Sequence, residues 1–363
     1  MSFLRCATAV GRMFAAILMV CSVGACAAPP AQTRGPELRH IVFGSCLNKT
    51  EHPLLDYTLT LPMDLFIFLG DNIYADTTDM AVMRGKYDAL KHSRFHRELR
   101  DKAPILATWD DHDYGVNDGG ANYPFRRESQ EQFLDWLDMP ADSPRRKREG
   151  VYDAHILGPP GRRVQVILLD TRYFRSPLAR GQHEALPSGG PYVPNSDPNA
   201  TMLGEAQWRW LEGELRKPAE LRLIVSSIQF VAEFAGSEAW ANLPLEKQRM
   251  LELITATRAQ GVLFLSGDRH WCELSRIPAE SPENPVGYAA YDLTASAMTQ
   301  VHPRGTPTPN RFRFLPKTFH EANVGRLTIQ WEQADPRLKL EIIDANGMVQ
   351  LEHALNLSEL RSR

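Results

Sequence analysis

Five short polar segments each follow a run of Val, Ile, Leu and Phe that is typical of a buried strand. These segments are Ser45–Cys46, Gly70–Tyr74, Asp110–Asp113, Asp170–Arg172 and Ser266–His270. In open α/β sheets, ligands bind beyond the carboxyl ends of the strands. The Asp, His, Cys and Tyr side chains of the five segments are therefore expected to meet at one edge. A single Asp there could instead cap a helix, so the interpretation depends on the same pattern occurring after five strands.

The third segment concentrates negative charge, because Asp110, Asp111 and Asp113 occupy three of four successive positions. Carboxylates this close repel one another unless a cation neutralises them or solvent screens them. An apolar run leads directly into the segment, so at least one of the three is expected near the interior. A bound cation is the simplest way to hold them there.

The residue types suggest which metals would bind. Carboxylate and amide oxygens suit calcium, magnesium or manganese, whereas imidazole suits zinc or iron. Tyr74 follows Asp71 by three residues, and a phenolate is a hard anionic ligand that favours ferric iron. The pattern predicts an iron-like centre with Cys, Tyr, Asp and His ligands beside a second metal that has oxygen ligands.

The elements that must position these residues alternate along the chain, which indicates an α/β fold with helices outside the sheets. The predicted strands are Leu38–Ser45, Asp64–Leu69, Ile105–Trp109, Val164–Asp170, Leu221–Ser226 and Val262–Ser266. The predicted helices are Phe125–Leu137, Glu205–Leu215 and Leu245–Gln260. The segments Gly325–Glu332, Leu338–Asp344 and Met348–Leu355 predict three antiparallel strands at the end of the chain. The long loop Tyr173–Thr201 is expected to shape the entrance of the site.

The composition of the 363 residues, 43% hydrophobic and 23% charged, is that of an ordinary globular protein. A net charge of −3 argues against a nucleic-acid partner. Five cysteines are too few for a disulfide scaffold. None of these quantities identifies a function.

The first residues predict export. Arg5 and Arg12 precede the uncharged run Met13–Ala25, which has the length of a signal-peptide core and is too short to cross a bilayer. Val23-Gly-Ala-Cys26 resembles a bacterial lipobox, in which Cys26 would carry lipid; an ordinary secretory signal cut nearby is the alternative. We expect a signal peptide over residues 1–25, a tether over 26–37 and one domain over 38–363. The protein would be periplasmic, or anchored to the outer membrane only by that lipid.

Together, the motifs resemble those of the PhoD-like alkaline phosphatase family, in the family's order, from about residue 38 onward. The motifs are Phe43-Gly-Ser-Cys46, Gly70-Asp-Asn-Ile-Tyr-Ala-Asp76, Trp109-Asp-Asp-His-Asp113, Leu169-Asp-Thr-Arg172 and Ser266-Gly-Asp-Arg-His-Trp271. The resemblance implies a calcineurin-like metallophosphoesterase fold, a four-layer sandwich of two mixed sheets flanked by helices. It also implies hydrolysis of small-molecule phosphomonoesters and phosphodiesters with Fe³⁺ and Ca²⁺, although other divalent metals would also suit the site.

The resemblance further implies individual roles. The iron ligands would be Cys46, Asp71, Tyr74 and His270, and Asp71 would bridge to the second metal. Calcium would be held by Asp268 together with either Asp111 or Asn117, and the sequence leaves that choice open. His112 would then be a general acid.

The two arginines that follow strands have two interpretations. Arg172 and Arg269 could grip phosphate oxygens bidentately, or they could form salt bridges to Asp110 or Asp170. The metals would lower the pKa of a shared water so that hydroxide attacks phosphorus.

Two further alternatives stay open. Cys46 could form a disulfide with Cys272, although a metal-binding environment should favour a Cys46 thiolate of low pKa. The protein could also be a non-catalytic periplasmic lipoprotein that binds phosphate esters or metals.

Overall fold

Twelve strands form two six-stranded sheets in the computed structural model, which describes residues 36–181, 190–302 and 308–362. The strands are β1 (His40–Gly44), β2 (Leu65–Leu69), β3 (Ile105–Thr108), β4 (Asp153–Leu157), β5 (Val164–Leu168), β6 (Leu221–Val225), β7 (Val262–Ser266), β8 (Cys272–Ile277), β9 (Ala290–Ala295), β10 (Asn323–Gln330), β11 (Arg337–Asp344) and β12 (Val349–Asn356). The helices are α1 (Pro53–Thr60), α2 (Met80–His92), α3 (Arg94–Lys102), α4 (Asp111–Tyr114), α5 (Arg126–Trp136), α6 (Pro144–Lys147), α7 (Gly204–Leu215) and α8 (Pro244–Thr257). Two 3₁₀ segments cover Trp240–Asn242 and Leu357–Leu360.

Both sheets are mixed. The first has the order β12-β11-β10-β1-β2-β3, in which β1, β2 and β3 are parallel and the C-terminal strands pair antiparallel. The second has the order β4-β5-β6-β7-β9-β8, with β5, β6, β7 and β9 parallel between antiparallel edge strands. In each sheet the parallel strands therefore end at a common edge.

The first sheet is covered by a hydrophobic core on each of its two faces. Ile41 and Phe43 of β1 belong to the core that includes the second sheet, whereas Val42 belongs to a second core. That second core contains aromatic residues of the helices α2, α3 and α5, such as Phe95 and Trp136. Successive side chains of a strand point to opposite faces. Each strand of a sheet that is covered on both faces is therefore an unbroken run of apolar residues.

The predicted elements all form, with ends that move by a few residues. The antiparallel finish is confirmed, since β10, β11 and β12 pair over their length. The predicted list was incomplete, because it lacked the helices α1, α2, α3, α4 and α6 and the strands β4, β8 and β9. The predicted signal peptide, the lipidation candidate Cys26 and nearly all of the tether lie outside the described residues. Within the described part of the chain, no helix has both the length and the apolar character needed to cross a membrane.

The pairing of β1 with β10 predicts a sharp steric requirement at Gly325. This glycine pairs with Phe43, and a Cβ atom there would lie 2.1 Å from the fully buried Phe43 ring. We expect Gly325→Ala to reduce the free energy of unfolding by about 1–3 kcal/mol, because the ring has no room to move. Gly213→Ala is the control: its site in α7 is open, and alanine should be neutral or slightly stabilising there. Equal thermal unfolding midpoints for both variants would contradict the packing argument.

Candidate metal centre

The carboxyl ends of the two parallel strand sets are joined directly by backbone hydrogen bonds. Ser45 follows β1, and its amide donates to the carbonyl of Ala295 in β9 at 3.1 Å. The amide of Met298 donates back to the carbonyl of Ser45 at 2.9 Å. The polar segments that follow strands of different sheets are therefore brought to one place.

The first cluster contains the four residues expected to bind iron. Cys46 Sγ lies 3.4 Å from Asp71 Oδ2, and the Tyr74 hydroxyl lies 3.4 Å from the same oxygen. The Tyr74 hydroxyl is also 3.1 Å from His270 Nε2. One ligand atom from each of Cys46, Asp71 and His270 lies within 4.8 Å of the other two. Thiol, carboxylate, phenol and imidazole thus face a common point.

The backbone at these residues adopts a conformation that side chains rarely tolerate. Cys46, Asp71, Asp268 and His270 have φ angles of 63°, 52°, 71° and 58°. Non-glycine residues in the left-handed region persist where the surrounding structure enforces them, and such residues cluster at functional sites. The turns after β1, β2 and β7 thereby direct these side chains inward together.

The second cluster consists of carboxylates. Oxygens of Asp110, Asp111 and Asp268 lie within 4.8 Å of one another, and Asp111 also groups with Asp71 and His112. Among the described residues, Asp110 Oδ2 and Asp268 Oδ2 receive no hydrogen bond. Burial, followed by the effects of neighbouring charges, raises the pKa of Asp268 to about 7 and that of Asp110 well above its usual range. Buried carboxylates with unpartnered oxygens fit a hard cation.

The thiol does not behave as its sequence context suggested. Burial raises the pKa of Cys46 to about 11, and burial together with the Cys46 charge raises the pKa of Asp71. The expected low thiol pKa therefore does not follow from the protein groups alone, which are mostly negative. A cation at this point would favour the thiolate and the carboxylate together.

Cys46 and Cys272 are both free thiols, so the disulfide alternative is wrong.

Asp111 and Asn117 occupy different positions relative to these clusters. Asp111 is buried, and its two oxygens accept hydrogen bonds from the amides of His112 at 2.9 Å and Asp118 at 2.8 Å. Asn117 is exposed on the rim of the same cavity. The geometry therefore favours Asp111 as the second-metal ligand and places Asn117 farther out.

The cavity in front of the clusters has a volume of about 280 Å³ and contains residues that the sequence analysis missed. Its lining includes Asp118, Tyr192, Glu238 and His302 beside the predicted residues. Tyr192 belongs to the loop Tyr173–Thr201, which therefore does shape the cavity. Glu238 does not directly follow a predicted strand, so the pattern of polar residues at strand ends could not identify it.

His112 is held in a fixed orientation at the cavity. Its Nδ1 donates to Asp76 Oδ1 at 2.6 Å, and its ring stacks on Tyr74 with centroids 4.2 Å apart. Burial alone would lower the pKa of His112, but the hydrogen bond to Asp76 and the nearby carboxylates raise it to about 9. Burial lowers the pKa of His270 to about 4, so that imidazole is neutral, the form that binds metals. His112 is thus suited to donate a proton, whereas His270 is suited to bind a metal.

The expectation that Arg172 grips phosphate is corrected by its surroundings. Its side chain is fully buried; Nε donates to Asp110 Oδ1 at 2.6 Å, and both terminal nitrogens donate to Glu238 at 2.8 and 2.6 Å. This is the predicted ion-pair alternative with Asp110. Arg269, in contrast, lines the cavity, where its guanidinium lies 3.5 Å from Asp268.

The two arginines should therefore respond differently to the same substitution. We expect Arg172→Met to reduce the free energy of unfolding by about 3–5 kcal/mol, because Asp110 and Glu238 would lose their buried counter-charge. Arg269→Met should change stability by less than about 1 kcal/mol, since its side chain faces the cavity. Denaturant unfolding of the two variants checks this prediction, and equal losses would refute it.

Comparisons with known proteins show similarity in sequence and in fold. The sequence profile of the family described as PhoD-like phosphatase matches residues 54–357. A curated relative, alkaline phosphatase D of Bacillus subtilis (strain 168), is 24% identical over 233 residues, which cover 54% of this chain and 37% of the relative. The match thus spans little more than a third of that relative's length. A solved structure described as "Structure of PhoD" superimposes with a TM-score of 0.69 at 17% identity, covering 92% of this chain and 72% of that one. This likeness confirms the predicted α/β fold of two mixed sheets flanked by helices.

Proposed function

The chain belongs to the PhoD-like phosphatase family, and from that premise we propose that it hydrolyses small-molecule phosphoric esters, both monoesters and diesters, with Fe³⁺ and Ca²⁺ bound. The observation that supports this most strongly is the meeting of two ligand clusters at one cavity. A thiol, a phenol and an imidazole face Asp71 on one side, and buried carboxylates face it on the other. This donor set suits a ferric ion beside a harder oxygen-liganded cation.

We assign Cys46, Asp71, Tyr74 and His270 to iron. Asp111 and Asp268 are assigned to calcium, and Asp71 lies between the two because it belongs to groups on both sides. When bound, the two cations would supply hydroxide near neutral pH and neutralise charge on the phosphate oxygens.

The remaining groups of the cavity act on the substrate directly. Arg269 is a cation that lines the cavity, so it is placed to bind a non-bridging phosphate oxygen. His112 carries a proton that Asp76 stabilises, and donating it to the departing alkoxide would make the alcohol a better leaving group. Arg172 acts behind the site, where it fixes Asp110 and Glu238.

We further propose that the protein acts outside the cytoplasm. The basic start, the apolar run Met13–Ala25 and the lipobox-like Val23-Gly-Ala-Cys26 support export, with Cys26 as the lipidation site. Mass spectrometry of the mature N-terminus would separate a lipidated Cys26 from a plain secretory cut.

Loss of the shared carboxylate should abolish turnover. We expect Asp71→Asn to lower kcat/KM for a chromogenic phosphomonoester and a phosphodiester on the order of a thousandfold, because both metals lose a ligand. A chelator should inactivate the wild type, and added iron and calcium should restore it. Asp56→Asn changes an exposed carboxylate of α1 and is the matched control. Metal-loaded wild type that turns over neither ester would instead favour the non-catalytic binding protein.

The iron assignment has a separate optical test. A phenolate on ferric iron absorbs visible light by charge transfer, so the purified protein should be coloured. Tyr74→Phe should lose the phenolate band while elemental analysis still finds iron. Tyr57→Phe, on α1, should keep the colour. A colourless, fully active wild type that contains zinc would refute the assignment.

A further inference from the structure

A second cavity adjoins the metal centre on the side of Asn117. Its volume is about 330 Å³, and Asn117, Asp118 and Tyr192 line both cavities. These three residues therefore form a shared wall. An ester whose phosphate is held by metal ions in the first cavity therefore has the second cavity next to it, across this wall.

The far side of the second cavity is mainly apolar. It is formed by Val116, Tyr123, Pro124, Pro177 and Leu178, which we call the Leu178 groove. Val116 is 43% exposed although it is apolar. Contiguous exposed apolar side chains often mark a site where another molecule binds.

The groove has a rigid floor. The Tyr123 hydroxyl donates to the carbonyl of Thr77 at 2.9 Å, and its ring packs 5.1 Å from that of Tyr114, which is itself buried. Gly115 has a φ of 137°, and a Cβ atom there would collide with the Tyr123 hydroxyl at 2.3 Å. The aromatic floor is thus fixed before any ligand binds, which reduces the entropy lost on binding.

The shared wall presents a flat, partly charged surface. The Tyr192 hydroxyl donates to the Asp118 carboxylate, which fixes the ring between the two cavities. The Arg180 guanidinium lies 5.3 Å from the centre of that ring and is exposed toward the groove. Aromatic rings and guanidinium planes both stack on flat π-systems.

Among the described residues, the rest of the metal-cavity lining is mostly charged or polar. It includes Glu238, Arg269 and His302, with Pro191 and Trp271 as its apolar members. An apolar group attached to phosphate binds more favourably in the Leu178 groove than against the polar side of the metal cavity. In the groove it buries apolar surface, whereas on the polar side it would desolvate charged groups. The two sides of the metal centre therefore differ in the chemistry they accept.

We propose that the Leu178 groove binds the alcohol part of the ester, and that it selects flat, apolar alcohols such as aromatic ones over small polar alcohols. This inference rests on the proposed function, because it requires phosphate at the metal centre. The groove determines specificity and takes no part in the bond-breaking step.

Filling the groove should remove most of the preference. We expect Leu178→Trp to lower kcat/KM for p-nitrophenyl phosphate about tenfold while kcat/KM for glycerol phosphate stays within about twofold, since a small alcohol does not reach the groove. Val116→Asp is a second variant, which places a charge among the apolar side chains at an exposed position that tolerates it. Leu245→Trp, at a 48% exposed position of α8, is the control and should change neither substrate.

Equilibrium binding supplies a readout that does not depend on turnover. Calorimetric titration of metal-loaded wild type should show phenylphosphonate binding about tenfold more tightly than methylphosphonate, a difference of about 1.4 kcal/mol. Leu178→Trp and Val116→Asp should remove most of that difference. Equal affinities in the wild type, or equal losses for both esters in the variants, would overturn the groove assignment. Absence of turnover of any ester in metal-loaded wild type would overturn the proposed function, whereas the phosphonate titration would still test the groove.

Discussion

Buried negative charge is the constraint on which the rest of this structure depends. Asp71, Asp110 and Asp111 are buried where the two sheets meet, and Asp268 beside them is only slightly exposed. Their charges repel one another in a poorly solvated space. One compensation is built in, because Arg172 pairs with Asp110 from behind and lowers the pKa of Asp111 despite its burial. The other side faces the cavity, where Asp110 Oδ2 and Asp268 Oδ2 accept no hydrogen bond from the described residues and Asp71 Oδ2 lies beside a thiol and a phenol. The Arg172 guanidinium thus neutralises these carboxylates from one side, and the proposed metal ions would neutralise them from the other. Metal binding is then linked to stability, since cations that bind only the folded clusters favour the folded state.

The geometry of the site requires both sheets to be in place. The turn after β1 supplies Cys46 and the turn after β7 supplies His270, so no single sheet carries all of the proposed iron ligands. Hydrogen bonds between Ser45 and Ala295 and between Met298 and Ser45 join the two edges. Left-handed backbone at Cys46 and His270 is tolerated because this junction over-determines it. The arrangement concentrates local strain at the place where bound ligands can offset it.

Much of this could be predicted from the sequence, for identifiable reasons. Buried strands are continuous apolar runs, and the polar residues directly after them reach the same edge, so Cys46, Asp71 and His270 were found together. The direction of a side chain within a turn is set by tertiary contacts, and that part could not be predicted. Arg172 and Arg269 each stand close after an Asp that follows a strand, yet one turns into the interior and the other into the cavity. Glu238 and the raised Cys46 pKa depend on packing between distant segments, which no local pattern encodes. The helix α3 was missed because it is short and strongly charged, with Phe95 and Leu99 as its only apolar residues.

The loop that begins at Arg172 connects the stability of the site with its specificity. Arg175 shares Glu238 with Arg172 and donates to the carbonyls of Asp118 and Gly119 at 2.6 and 2.8 Å. The start of the loop is thereby fixed to the segment that carries the shared wall of the two cavities. Beyond that anchor, the same loop supplies Leu178 and Tyr192. The Tyr192 hydroxyl donates to Asp118, which is not one of the predicted metal ligands. Substitutions in the outer part of the loop can therefore alter which alcohol is accepted, while the buried ion pairs keep the carboxylates in position. If the proposed function holds, this separation would let one metal centre serve different esters, because the buried arginines and the groove residues lie on different parts of one segment.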